Sequence, residues 1–383
     1  MMGCREKLLI LMSDTGGGHR SAAEAIAEAA AHLYGDAIQT EIADALVHHT
    51  PFPWNRVGRL YAPLVSHTPW LWRLLWRLTD SPQRTRQLFA VLRSWVGPAL
   101  RRLFLTSQPD AVVSVHPAFN HLGLWTLRQV GWQLPFVTVV TDLVRAHPFW
   151  LCPQVDLCLT ATEEARQDAL RTGVPAEKTQ VVGLPVSLKF SQHQPEKQQA
   201  RAQLGLHPDR PVVLLMGGGE GVGRLYEVAR AIAGACLPAQ MVVVVGRNEK
   251  LRCRLKAIAW EIPTCITGFV ANVQQWMAAA DVLVTRAGPG VLSEAFIAGL
   301  PLVLSGAIPG QETPNIGYVV SHGAGVAETD PLGIAVWLAQ RLQPGDETLA
   351  HMAAAARHLA RPDAALQVAR QVTALLPGCL QEK

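Results

Sequence analysis

Short, unbroken apolar runs recur along the chain, separated by helix-length stretches of mixed polarity. Lys7–Met12, Ala111–Val115, Phe136–Thr141 and Leu157–Ala161 form a first set, and Val212–Met216, Met241–Val245, Val282–Thr285 and Leu302–Ser305 a second. These runs are continuous, without polar–apolar alternation, so each predicts a strand buried on both faces, as in a parallel sheet covered by helices. Arg20–Leu33, Glu163–Arg171, Arg224–Ala235, Val273–Ala280 and Val291–Ala298 have the length and composition of the helices between them. Such alternation predicts α/β architecture of the doubly wound, Rossmann-like kind.

A chain of 383 residues exceeds what one core usually serves, so two domains are expected. The polar stretch SLKFSQHQPEKQQ at 187–199 separates the two strand sets and reads as a linker between domains at 1–186 and 200–361. Residues 362–383 add a last helix, Asp363–Leu375, which has no strand after it and is expected to pack back on the N-terminal domain. In each half the first strand runs into a glycine loop, MSDTGGGH in one and MGGGEGVG in the other. Ligands bind beyond the carboxyl ends of such strands, so the two domains are expected to face a common cleft.

Hydrophobic residues make up 49% of the chain and charged residues 17%, which fits a well-buried globular protein. A net charge of +4 does not indicate a general nucleic-acid binder. Seven scattered cysteines without a C-x-x-C pair point to reduced thiols, with neither a disulfide frame nor a zinc site. The longest apolar stretches fall short of the 18 or so residues that a membrane-spanning helix needs.

The candidate chemistry lies at the strand ends. Gly16, Gly17 and Gly18 remove Cβ atoms that would hold a ligand off the backbone, and the helix that follows opens with its positive end beside His19. This suits an anion or a developing negative charge with an imidazole near enough to take a proton; a tight connection with a surface histidine is the plainer alternative. The second loop, Gly217 to Gly223 with Gly218, Gly219 and Glu220 at its centre, also leaves a strand for a helix. Neither loop matches G-x-G-x-x-G or ends in G-K-[S/T], which argues against a dehydrogenase or an NTPase. Gly288, Pro289 and Gly290 follow the strand DVLVT and expose another helix start, suited to a diphosphate. Glu294, one turn on, suits a ribose diol, or it is an ordinary carboxylate favouring the helix dipole. Gln311 and Glu312 follow a further strand end, where an amide beside a carboxylate suits sugar hydroxyls; a capping turn is the alternative. No D-x-D pair occurs, so a leaving diphosphate would rest on helix ends and basic groups such as Arg247 or Arg286, and metal-independent chemistry is expected.

The segments LILMSDTGGGHRSAAEAI, SVHP, VTDL, HPFW, VVGLPV, LMGGGEGVG, VGRNEKL, TGFVANVQQWMAAADVLVTRAGPG and LSEAFIAGLPLVLSGAIPGQETPN, in this order from about Leu8 to about Gly325, resemble those of monogalactosyldiacylglycerol synthases in glycosyltransferase family 28. The resemblance implies a GT-B fold and an inverting transfer from a UDP-hexose, galactose favoured, to the sn-3 hydroxyl of diacylglycerol. No cofactor or metal is implied, UDP-hexose being a substrate. It assigns uracil to the backbone around Phe269 and Val270. The diphosphate falls at Gly288–Gly290 with help from the 217–223 loop, the ribose at Glu294, and the donor-sugar hydroxyls at Gln311 and Glu312. His19 becomes the candidate base, with Asp142 as an orienting or competing carboxylate; a neutral histidine meets the pKa requirement of a base better than an ordinary aspartate. His116 and His147 fall in turns that are structural or line the acceptor. Transfer of glucose, or transfer to another lipid, is the enzymatic alternative, and a UDP-sugar sensor without turnover is the non-enzymatic one.

Between Pro51 and Phe104 the chain carries Trp54, Trp70, Trp72, Trp76 and Trp95 beside nine arginines, among them Arg73, Arg77 and Arg84, opposed only by Asp80. Indole rings settle at headgroup depth and guanidinium groups meet lipid phosphates. Trp72 and Trp76 at i, i+4 share a helix face, with Arg73 and Arg77 on the adjoining one. An amphipathic helical pair with core tryptophans would read alike, and no nucleic-acid motif accompanies the arginines. An enzyme that draws diacylglycerol from a bilayer implies the membrane reading: a peripheral protein on the cytoplasmic face, partnered by anionic lipid.

Overall fold

The computed structural model describes residues 5–376 apart from 15–16, 48–49, 51–53, 57, 59–63, 66–67, 193 and 220–223. The chain divides into two compact units, residues 1–188 with 309–311 and 362–383, and residues 189–308 with 312–361.

The first unit is a six-stranded parallel sheet of β1 (Glu6–Met12), β2 (Ile38–Asp44), β3 (Ala111–Ser114), β4 (Phe136–Val139), β5 (Leu157–Thr160) and β6 (Thr179–Val181), in the order β2-β1-β3-β4-β5-β6. Its helices are α1 (Gly18–Tyr34), α2 (Pro69–Thr79), α3 (Pro82–Ser107), α4 (Asn120–Val130) and α5 (Glu163–Arg171). The unbroken apolar character of β1 has a direct cause. Leu8, Ile10 and Met12 face a core shared with α1, while Leu9 and Leu11 face a second core filled by Phe89, Leu100 and Phe104 of α3. A helix near the end of the chain, Ala364–Thr373, completes the first of these cores through Ala365, Val368, Ala369 and Val372. Its Thr373 hydroxyl donates to the Tyr34 hydroxyl at 2.8 Å.

The second unit is a sheet of β7 (Val212–Met216), β8 (Gln240–Val244), β9 (Thr264–Thr267), β10 (Val282–Arg286), β11 (Leu302–Gly306) and β12 (Gly325–Ala327), all parallel, in the order β12-β11-β10-β7-β8-β9. Its helices are α6 (Lys197–Gln203), α7 (Leu225–Gly234), α8 (Glu249–Lys256), α9 (Val273–Ala279), α10 (Pro289–Ala298), α11 (Thr313–Ser321), α12 (Pro331–Arg341) and α13 (Thr348–Leu359), so the Ala364–Thr373 helix is α14. Part of the expected linker at 187–199 is ordered secondary structure: a 3-10 turn occupies Leu188–Phe190 and α6 begins at Lys197. Arg201 of that helix is buried, and its guanidinium meets Asp281 at 2.6 Å beside the start of β10.

Strand order places the functional crevices. Where a doubly wound sheet reverses direction, the loops beyond two neighbouring strands diverge and leave room for a ligand. In the first unit the reversal lies between β1 and β3, and in the second between β7 and β10.

Candidate active site

Both reversals carry the glycine loops. Beyond β1, Asp44 at the end of β2 takes the Asp14 amide on one carboxylate oxygen at 3.0 Å and the Val47 amide on the other at 2.9 Å. Asp14 is thereby held just beyond β1. Gly17 caps α1 with φ +84°, a conformation that L side chains rarely adopt. Among the described residues, a Cβ on Gly17 or Gly18 would meet nothing within 4 Å, so the helix start opens on space. No side chain caps the helix and its first turn holds no acid, which leaves the first backbone N–H groups available to a ligand.

His19 sits in that first turn, half-buried, and its environment fixes its chemistry. Nδ1 lies 2.8 Å from the Val115 carbonyl just beyond β3 and 3.0 Å from the Thr141 hydroxyl beyond β4. A carbonyl only accepts, so Nδ1 carries the proton and Nε2 keeps its lone pair. Burial lowers the pKa of His19 to about 4, partly offset by the Val115 bond and by Asp14, so the ring is neutral at pH 7. His116 packs edge-on at 4.5 Å between ring centroids. It is itself buried and pushed well below the ordinary histidine range by burial and by His19. Its Nδ1 accepts the Ala118 amide at 3.3 Å, so it also closes its own turn.

Asp142 is buried, and its Oδ2 accepts the Trp150 indole N–H at 2.8 Å. The groups within hydrogen-bond distance of His19 Nδ1 are a backbone carbonyl and the neighbouring threonine, two orienting partners that residue type alone did not single out. His147 lies between Trp76 and Phe149, with ring centroids at 4.4 and 4.6 Å. Its Nε2 is 3.3 Å from the Thr79 hydroxyl at the end of α2, and burial takes its pKa down to about 4. Together with the Arg145–Asp80 ion pair at 2.5 Å, His147 ties α2 to the turn that follows Asp142.

Helix α2 is turned differently from the expected phase. Trp72 and Trp76 are half-buried, their rings 5.8 Å apart, with Trp76 against His147. The outward apolar row is Trp70, Leu74 and Leu78, at 68, 47 and 50% exposure, with Leu75 beside it. Trp95 and Val91 of α3 are also exposed. Arg73 and Arg77 point outward on α2, as do Arg84, Arg101 and Arg102 on α3. The reason is local: the tilted packing of the Trp76 ring against His147 fixes which side of the helix turns in. Among the described residues no helix is long and apolar enough to cross a membrane.

In the second unit, Gly218 (φ +70°) and Gly219 turn away from β7, and the Arg247 amide donates to the Gly219 carbonyl at 2.9 Å. Glu220 lies outside the described residues. Gly246, at φ +60°, lets the two loops touch, since a Cβ there would stand 2.3 Å from the Gly219 carbonyl oxygen. No motif singled it out. The Arg247 guanidinium lies over the exposed Phe269 ring at 4.9 Å from its centroid, with Val270 half-buried next to it. Gly288 caps α10, Pro289 and Gly290 follow, and the first turn again lacks both a side-chain cap and an acid.

Glu294 lies one turn further on, and burial alone raises its pKa to about 7. Among the described residues no hydrogen bond or ion pair reaches its carboxylate, a costly state that donors from a ligand would relieve. Glu312 is buried; its Oε2 accepts the Ile308 amide at 2.8 Å and its Oε1 is 3.9 Å from the Arg286 guanidinium. Asn315 holds the same loop by donating to the Ala287 carbonyl at 2.8 Å. Gln311 groups with the first unit rather than with Glu312. Among the described residues no cluster of three or more histidine, cysteine or acidic side chains is placed to hold a metal ion.

Residues 19–186 match the family model described as monogalactosyldiacylglycerol (MGDG) synthase, and residues 212–326 the glycosyltransferase family 28 C-terminal domain. The chain is 38% identical over 384 residues to monogalactosyldiacylglycerol synthase 1, chloroplastic, of Arabidopsis thaliana, covering 97% of this chain and 71% of that protein. Among solved structures it is similar to CalG4, the calicheamicin glycosyltransferase, with a TM-score of 0.63 at 16% identity over 99% of this chain and 100% of that one. It is also similar to Anabaena HepE in complex with UDP-glucose, with a TM-score of 0.56 at 16% identity over 96% and 99%. The fold is GT-B, two Rossmann-like α/β units.

Proposed function

The chain belongs to the monogalactosyldiacylglycerol synthase family, and from that membership we propose that it transfers galactose from UDP-galactose to the sn-3 hydroxyl of diacylglycerol with inversion. The enzyme is a UDP-sugar-dependent glycosyltransferase. In the proposed step, Nε2 of His19 removes the proton from the acceptor hydroxyl as its oxygen attacks the anomeric carbon. The carbon–oxygen bond to the diphosphate breaks on the opposite face, and UDP leaves with the electron pair. The free N–H groups at the start of α10, with Arg247 and Arg286, receive that charge in the donor-binding unit. Glu294 takes the ribose hydroxyls, Phe269 and Val270 border the uracil, and Gln311 with Glu312 Oε1 meets the sugar hydroxyls.

The observation that carries this reading is the state of His19. It is neutral, its Nδ1–H is committed to Val115, and its Nε2 is left as the accepting nitrogen beside an open helix start. Asp142, engaged with Trp150, is assigned to shaping the acceptor turn. The outward row of α2 and the arginines of α2 and α3 are assigned to the surface of an anionic bilayer on its cytoplasmic side, where diacylglycerol is drawn from the membrane.

Replacing His19 tests the chemistry. His19→Ala should lower kcat by roughly 10²–10⁴-fold, the usual share of a positioned base, while the affinity for UDP stays within twofold. A variant that turns over at the parent rate removes His19 from the mechanism.

A further inference from the structure

We infer that Thr141 is a positioning residue for the base, holding the His19 ring through a second acceptor on the same Nδ1–H. The inference rests on His19 being the base. The Nδ1 atom has one hydrogen and two oxygens within reach, the Val115 carbonyl at 2.8 Å and Thr141 Oγ1 at 3.0 Å. The carbonyl has no proton to give, so the hydrogen belongs to Nδ1 and the threonine oxygen accepts as well. The bond is three-centred, and the threonine hydroxyl turns its own hydrogen elsewhere.

Thr141 is buried and sits just beyond β4, whereas Val115 lies just beyond β3. The two acceptors therefore come from adjacent strands and fix the imidazole plane from two directions. One acceptor would leave the ring free to swing about that single bond; two define where Nε2 points. When Nε2 takes the acceptor proton the ring becomes a cation, and a hydrogen bond donated by a cation is stronger than one donated by the neutral ring. Thr141 thus favours the transition state over the resting enzyme, which affects kcat and leaves donor binding alone. The adjacent carboxylate, Asp142, is the more obvious chemical group, yet its Oδ2 is spent on Trp150.

Thr141→Val keeps the shape and β-branching of the side chain and removes the acceptor; Thr141→Ser keeps the acceptor and removes the methyl. The expected result is a fall of about tenfold in kcat for the valine variant, the low end for a hydrogen bond to a charged group, with the KM for UDP-galactose unchanged. The serine variant should recover most of the rate. In ¹⁵N-histidine-labelled protein at pH 7.5, the His19 Nδ1–H signal should move upfield and exchange faster with solvent in the valine variant, and return in the serine variant. Bound UDP serves as the check that each variant is folded.

A valine variant with the parent kcat and Nδ1–H signal overturns the proposal, as does a serine variant as slow as valine. A displaced Nδ1–H signal in Thr141→Val, with parent kinetics both there and in His19→Ala, instead overturns the base assignment beneath it.

Discussion

His19 and Glu294 sit in complementary states, one a base kept neutral and the other an acid kept partly protonated, and in both cases burial is the largest cause. The carboxylate makes the sharper test because removing its charge should act in opposite directions on stability and binding. Its folded pKa of about 7 lies above the ordinary value of 4.5, so the folded state loses stability as pH rises from 4.5 through 7 and the group ionises. Glu294→Gln should therefore raise the melting temperature of the unliganded protein at pH 8. The same substitution should weaken UDP binding by roughly 10- to 100-fold, since hydrogen bonds to a charged acceptor are lost. Calorimetric titration reads the second effect, and unchanged UDP affinity would remove Glu294 from the ribose site. The residue types at these positions could be read in the sequence, but their partners could not. Val115 contributes a carbonyl that every residue possesses, and Thr141 was hidden beside a carboxylate with a louder chemical signature.

At the scale of elements, strands buried on both faces announce themselves and edge strands do not. The apolar runs of β1, β3, β4, β5, β7, β8, β10 and β11 predict the observed strands to within two residues at either end. The four missed strands are β2, β6, β9 and β12, which lie at the outer ends of the two sheets. β2 reads IQTEIAD and is only partly buried, and β9 is half-buried throughout, so neither forms a continuous apolar run. Helix α2 illustrates a different limit. Its first two turns hold both aromatic and aliphatic groups, and the periodicity alone left open which row faced out. The Trp70, Leu74 and Leu78 row does so because Trp76 is taken up by His147. Leu74→Ser combined with Leu78→Ser should cost about 2 kcal/mol of interfacial burial, each side chain being half-exposed already, or about 30-fold in binding to anionic vesicles. Arg73→Gln with Arg77→Gln should lose about 1 kcal/mol per charge, most of it at low salt. Vesicle sedimentation that fails to distinguish these variants from the parent would return α2 to a purely structural role.

For the molecule as a whole, the response to acid among the described residues is set by two buried histidines, His116 and His147, and two half-buried ones, His19 and His121. His19, His121 and His147 have pKa values lowered to about 4, and His116 is lowered as well, all mainly by burial. Between pH 6.5 and 4 the unfolded chain takes up protons that the folded chain refuses, so stability falls as pH falls through that window and levels off above about 7. Glu294 opposes this with a single proton, leaving a net loss. Urea midpoints should drop between pH 7 and pH 5 and change between pH 7 and pH 8 only by the smaller loss as Glu294 finishes ionising; equal midpoints at pH 7 and pH 5 would mean that these rings reach solvent.

The reaction itself is read most directly from its product. Purified protein, UDP-galactose and diacylglycerol in mixed micelles should yield monogalactosyldiacylglycerol whose anomeric proton shows the large coupling of a β-linkage, formed from an α-linked donor by a single inverting displacement. An α-linked product, product from UDP-glucose alone, or UDP bound without any lipid product would contradict it.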